Sequence, residues 1–90
     1  MELGIYRHWK GPHYLALFVA QDSNNNADHE DVVVYVSLDP PCAGNINVRR
    51  KSEFLEQVSL PEGGHAPRFV YVGPAPAPDW EVNPDGGLRE

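Results

Sequence analysis

The sequence predicts a mainly β domain: a small five- to six-stranded barrel of SH3-like form with one short helical turn. Three observations carry that reading. Short runs rich in Val, Tyr and Phe alternate with Gly, Pro and Asn signals along most of the chain. Only one stretch, Lys51 to Val58, has helical character. The chain has 90 residues, and closing a small sheet on itself is an effective way to remove exposed edges. An OB-like barrel is the alternative; the size and the brief helical corner favour the SH3-like form.

Taken in order, Tyr6 to Lys10 is the first strand and Tyr14 to Gln21 the second, with Gly11-Pro12 between them. Asp22 to Asp31 is a polar, Asn-rich, acidic loop, long for a hairpin connection. Val32 to Leu38 is the strongest strand signal, and its near-continuous apolar run predicts a central strand buried on both faces. After Asp39-Pro40-Pro41, Asn45 to Arg49 reads as a fourth strand with Ile46 and Val48 inward. Ser52 is the expected N-cap of the helical turn. Arg68 to Val72 closes the set. Residues 73–90 change character, since proline at every second position from Pro74 to Pro78 favours extended polyproline II over sheet. The organisation predicted is thus a β-domain over 1–72 and a Pro/Gly-rich tail over 73–90, in which Trp80 and Val82 are the residues able to pack on the domain or on another subunit.

Seven basic against thirteen acidic residues give a net charge of −6. Duplex-binding domains draw affinity from Lys and Arg on phosphates, so double-stranded nucleic acid is disfavoured as a partner. A local basic patch is still available from Arg49-Arg50-Lys51 with Arg7 and Lys10. The single cysteine, Cys42, excludes an internal disulfide and fits a reducing compartment. No apolar run approaches the roughly 18–20 residues that cross a bilayer. Met1 to Gly4 does not open a signal peptide. The expected location is cytoplasmic, without a membrane partner.

The first hairpin, Gly4-Ile5-Tyr6-Arg7-His8-Trp9-Lys10-Gly11-Pro12-His13-Tyr14, is the most chemically suggestive segment. Alternation puts Tyr6, His8 and Lys10 on one face and Ile5, Arg7 and Trp9 on the other. In the structural reading, Ile5 and Trp9 are core while Tyr6, His8 and Lys10 are solvated. In the functional reading, Tyr6, His8, Lys10 and Tyr14 form an aromatic, cationic wall that Arg49 and Arg68 approach from neighbouring strands. Arginine's planar fork suits carboxylates and phosphates, so the ligand would be an anion. His8 has the chemistry of a general base, but the sequence positions no nucleophile beside it. Cys42 lies in a Pro-Pro turn far from the hairpin, and the other histidines are isolated. Asp28-His29-Glu30-Asp31 has the groups to bind a divalent ion weakly, but a solvated acidic loop is the better reading. No P-loop or dinucleotide fingerprint is present.

These residues also carry a family resemblance. Tyr6-Arg7-His8-Trp9-Lys10-Gly11 followed by Tyr14, then Val19-Ala20, Val33-Val34-Tyr35, Val48-Arg49, Phe54 and Pro67-Arg68-Phe69 resemble, in order over about residues 4–72, the bacterial family known as domain of unknown function 1653. Asn47 stands where that family usually has Trp, Arg50 where it has Pro, and Gln21-Asp22 where a basic residue and His follow Val-Ala. The resemblance implies a small stand-alone β-barrel and supplies no activity.

The function expected is therefore a non-enzymatic binding module, without cofactor, metal or catalytic residues. It would recognise an anionic, nucleotide-like ligand or a segment of a protein partner. Tyr6, His8 and Tyr14 would stack, while Arg7, Lys10, Arg49 and Arg68 would meet negative charge. The alternative is a structural or interaction protein acting as a homo-oligomer.

Overall fold

The computed structural model of the chain describes residues 1–23 and 30–76. Trp80, Val82 and the middle of the Asn-rich loop lie outside the described residues. Strands β1 (Gly4–His8) and β2 (His13–Gln21) form the predicted first hairpin, followed by β3 (Asp31–Ser37) and β4 (Ile46–Arg50). A four-residue helix, α1 (Lys51–Phe54), leads into a small hairpin of β5 (Gln57–Ser59) and β6 (His65–Pro67), and β7 (Phe69–Gly73) returns to the sheet. The five-stranded sheet has the order β4-β3-β2-β1-β7, and its neighbouring strands are all antiparallel. The domain is mainly β, as expected. The sheet is not closed, however: β4 and β7 are its edges, and no ladder joins them among the described residues. The chain bridges the gap with α1 and the β5–β6 hairpin.

Register decides which side chains meet. Tyr6 lies opposite Tyr14 and Tyr71, Ala16 opposite Tyr35, and Val33 opposite Val19 and Arg49. Because side chains alternate across a strand, Tyr6, Tyr14, Ala16, Val33, Tyr35 and Phe69 share one face, here termed the inner face. A bulge between Ala16 and Phe18 shifts the pairing in β2. It resets the alternation, which is why Ala16 and Val19 both face inward although they are three residues apart. No helix among the described residues is long and apolar enough to cross a membrane.

The core is aromatic. Phe54 is fully buried and lies parallel to Phe69, with centroids 4.0 Å apart and an interplanar angle of 8°. Tyr6 and Tyr35 present edges to Phe54 at 5.0 and 5.4 Å. Such contacts contribute about 0.5–1.5 kcal/mol per pair beyond the area they bury. A helix of four residues has almost no stability of its own; α1 exists because Phe54 fills the space under the sheet.

Several expectations are corrected here. Tyr6, not Ile5 or Trp9, is core, with 4% of its surface exposed. Its phenol can be buried because the hydroxyl donates to the Glu2 carbonyl. Trp9 and Lys10 have left β1 for the turn, so they do not continue its alternation. Ile46 and Val48 face outward, since Val33 and Tyr35 take the inner register against Arg49 and Asn47. The helix stops at Phe54 instead of running to Val58, and Ser52 does not cap it. Arg50 holds the N-cap position without a side-chain bond, while the Ser52 N–H donates to Glu30 Oε1 at 3.2 Å. The β5–β6 hairpin, with Pro67 paired to Gln57, was not expected. Only three residues per strand and a proline in one of them leave too little pattern to read.

One crossing restricts the sequence tightly. Gly4 has φ +139°, and a Cβ there would lie 2.5 Å from the carbonyl oxygen of Gly73. Only a residue without a side chain fits where β1 begins and β7 ends.

Phe54→Ala removes the ring on which the inner face closes. We expect a loss of about 3–5 kcal/mol, read as a lower urea midpoint. A loss under about 1 kcal/mol would show that the Phe54–Phe69 stack is not central to the core.

Candidate functional site

The residues predicted to bind an anion fall in three places. His8, Tyr14, Arg49 and Arg68 come together at one end of the aromatic core, with Lys10 beside them. Tyr6 lies beneath, in the core, without an open ring face. Arg7 is exposed on the opposite side of the sheet, paired in register with His13 and Val70.

β1 and β7 position the first wall. His8 lies opposite Phe69 in register, and their rings meet edge to face at 5.0 Å. The Tyr14 ring stands 5.6 Å from Phe69, 5.4 Å from Tyr35 and 6.2 Å from His8. His8 and Tyr14 are only half-buried, so this part of the aromatic cluster is open at its border.

Arginines enter from the two edges of the sheet. Arg49, on β4, donates from Nε to the Tyr35 hydroxyl at 3.2 Å, and its Nη1 is 3.9 Å from Glu53 Oε2. Arg68, just before β7, donates from Nε to the Glu53 carbonyl at 3.1 Å and from Nη2 to Glu56 Oε1 at 2.6 Å. Both arginines therefore grip α1, one from each side. Arg68 is held tightly by its carboxylate; Arg49 is held loosely and keeps N–H groups in reserve. Lys10 has no carboxylate within 4 Å among the described residues, and its Nζ lies 5.3 Å from the Trp9 ring centroid.

The charges are felt at His8. Burial, then the positive charges of Arg49, Arg68 and Lys10, holds its imidazole below the ordinary histidine value. Its Nδ1 accepts a hydrogen bond from the Lys10 N–H at 3.2 Å, which fixes the neutral tautomer with its proton on Nε2. Burial, followed by Tyr35, pushes the Tyr14 phenol up. The site at neutral pH thus holds uncharged rings and a surplus of cations.

A second feature was missed by the sequence reading. The β1–β2 and β3–β4 turns enclose a pocket of about 110 Å³ whose lining includes His13, Tyr14, Ser37, Asp39 and Cys42. Asp39 Oδ2 accepts from the His13 backbone N–H at 2.7 Å and lies 3.1 Å from His13 Nδ1. These contacts hold the Asp39 carboxyl below its usual range, the backbone bond most of all. His13 and Cys42, isolated in sequence, are brought to one pocket by register, which no local pattern encodes. Among the described residues no group of three His, Cys, Asp or Glu side chains could hold a metal ion.

The electrostatics at His8 can be measured directly. In the wild type, its NMR titration midpoint should lie below that of an unfolded histidine, near 6.5. Arg49→Gln and Arg68→Gln should each move it upward. Unfolded His8 takes up its proton first, so its share of stability is intact above pH 6.5 and declines as pH falls from there toward the lower folded value. A midpoint unmoved by both substitutions would remove the arginines from the site.

Comparison with known proteins gives a consistent result. Residues 4–71 match the model of a family described as protein of unknown function, DUF1653. A solved structure, the crystal structure of a DUF1653 protein from Bordetella bronchiseptica, is 36% identical. The match covers 87% of this chain and 95% of that one, with a TM-score of 0.70. No curated protein matches.

Proposed function

Because the chain belongs to the DUF1653 family, whose description assigns no activity, we propose from its geometry that it is a non-enzymatic binding domain for an anionic, nucleotide-like small molecule. The ligand would lie at the open border of the aromatic core, against His8 and Tyr14, with its negative charge toward Lys10, Arg49 and Arg68. The observation that carries this reading is the unequal pairing of cations around half-buried rings. Arg68 is neutralised by Glu56, but Arg49 stands 3.9 Å from its carboxylate and Lys10 has none among the described residues. On a protein of net charge −6, such a cluster is a local exception that an anion would relieve.

The rings supply stacking surface and Arg49 the planar fork that suits a phosphate or carboxylate. Among the described residues, none at the site is arranged as a nucleophile with its base, which favours binding over catalysis. The same proposal treats the curled sheet as an SH3-like barrel left open between β4 and β7, since an open end is where such a module would admit a ligand. A cytoplasmic setting, where nucleotides are plentiful, suits this reading.

Titration with adenosine monophosphate and with inorganic pyrophosphate, followed by NMR, separates the stacking and charge contributions. Expected are shifts at His8 and Tyr14 with the nucleotide, and weakening by Lys10→Met and Arg49→Gln, the latter about 10–100-fold if one charged hydrogen bond is lost. Affinity should rise as pH falls through the lowered His8 pKa, because protonation adds a cation. Absence of any shift at His8 and Tyr14 with millimolar amounts of either probe would refute the proposal.

A further inference from the structure

The face of the sheet opposite the aromatic core is aliphatic and, among the described residues, uncovered. Its side chains come from the alternate positions of the same strands. Ile46 pairs with Val36 and Val36 with Leu15, while Val48 pairs with Val34 and Val34 with Phe18. Ile46 is 69% exposed, Val48 63% and Phe18 52%. An antiparallel sheet with one solvated face normally alternates apolar-in and polar-out; β3 and β4 do not, and their surplus of apolar residues all points to this side. Stable domains are built of at least two packed layers. Here the inner face has α1 as its cover, and the outer face has none among the described residues.

We infer that a second copy of this chain covers it, the two sheets packing outer face to outer face in a two-fold symmetric dimer. Three features favour another copy over a different partner. The patch is the face of a β-sheet, so a second twisted aliphatic sheet about 10 Å away is its natural complement. Among the described residues, the charges on this side stand at its borders: Arg7, beside the His13–Asp39 pair, and Arg50, which lies 3.8 Å from Glu30; an acidic partner would find little to hold. The area also fits. A stable pair buries roughly 800 Å² per subunit, about 65% of it apolar in homodimers, hence on the order of 500 Å² of apolar surface. Six large apolar side chains in two rows, three of them more than half exposed, supply surface of that order. A two-fold interface needs one such patch, used twice.

Sedimentation equilibrium of the full chain, from micromolar to near-millimolar concentration, tests this. The expected result is a species of twice the 10.0 kDa chain mass. Val48→Lys and Ile46→Lys, at two strongly exposed positions, should each shift it to monomer with an unchanged far-ultraviolet circular dichroism spectrum. A wild-type chain that is monomeric throughout would overturn the inference and leave the face to residues 77–90 or to a different protein. A dimer that survives both substitutions would overturn it equally. The ligand site lies on the other face, so failure here leaves that reading untouched.

Discussion

The stack of Phe54 on Phe69 is the contact on which the rest depends. An open five-stranded sheet has two edges and two faces to protect, and 90 residues provide little material for the purpose. Phe54 reaches the inner face from the segment that runs between the two edge strands. It meets Phe69 of β7 face to face and Tyr35 of β3 edge to face, so a single ring connects parts of the sheet that share no hydrogen bonds. The curl of the sheet, the existence of α1 and the placement of the β5–β6 hairpin all follow from that contact.

Glu53, its neighbour in the helix, extends the same logic into electrostatics. Its carboxylate faces Arg49 and its carbonyl receives Arg68. The arginines that crowd His8 are thus the ones that hold α1 in place. Under the proposed function these side chains would combine a structural role with a ligand-directed one. An arginine drawn to the proposed anion would slacken its grip on the helix, and binding would then be coupled to the packing beneath it.

What the sequence revealed was what local pattern can encode. The first three strands were evident in their Val- and Tyr-rich runs, and the YRHWKG motif pointed to the family. The alternation of Tyr6 and His8 against Ile5 and Arg7 was also legible. Which of those faces turned inward was not, because that depends on a distant residue, Phe54, having a ring to receive Tyr6. Ile46 and Val48 misled for a related reason: apolar alternation identifies a face but not whether the fold or another surface covers it. At the site, Arg49 and Arg68 were identified by residue type. Their common anchor on Glu53 and the meeting of His13 with Cys42 arise from register between remote segments. The apolar run of β3 predicts burial on both faces; in the structure Val33 and Tyr35 are buried, while Val34 and Val36 on its second face are half-buried, with no layer over them among the described residues.

The crossing of Gly4 and Gly73 bears on modularity. Because β1 begins where β7 ends, the chain enters and leaves the sheet at a single point, with Ile5 and Gly73 paired in register. A unit whose two attachment points coincide can be carried as an insert. Spliced through short linkers before Gly4 and after Gly73, it would sit on a surface loop of a host protein without prying that loop apart. The same proximity permits the opposite operation, joining the two ends and reopening the chain at Gly63-Gly64, where the backbone turns at the surface.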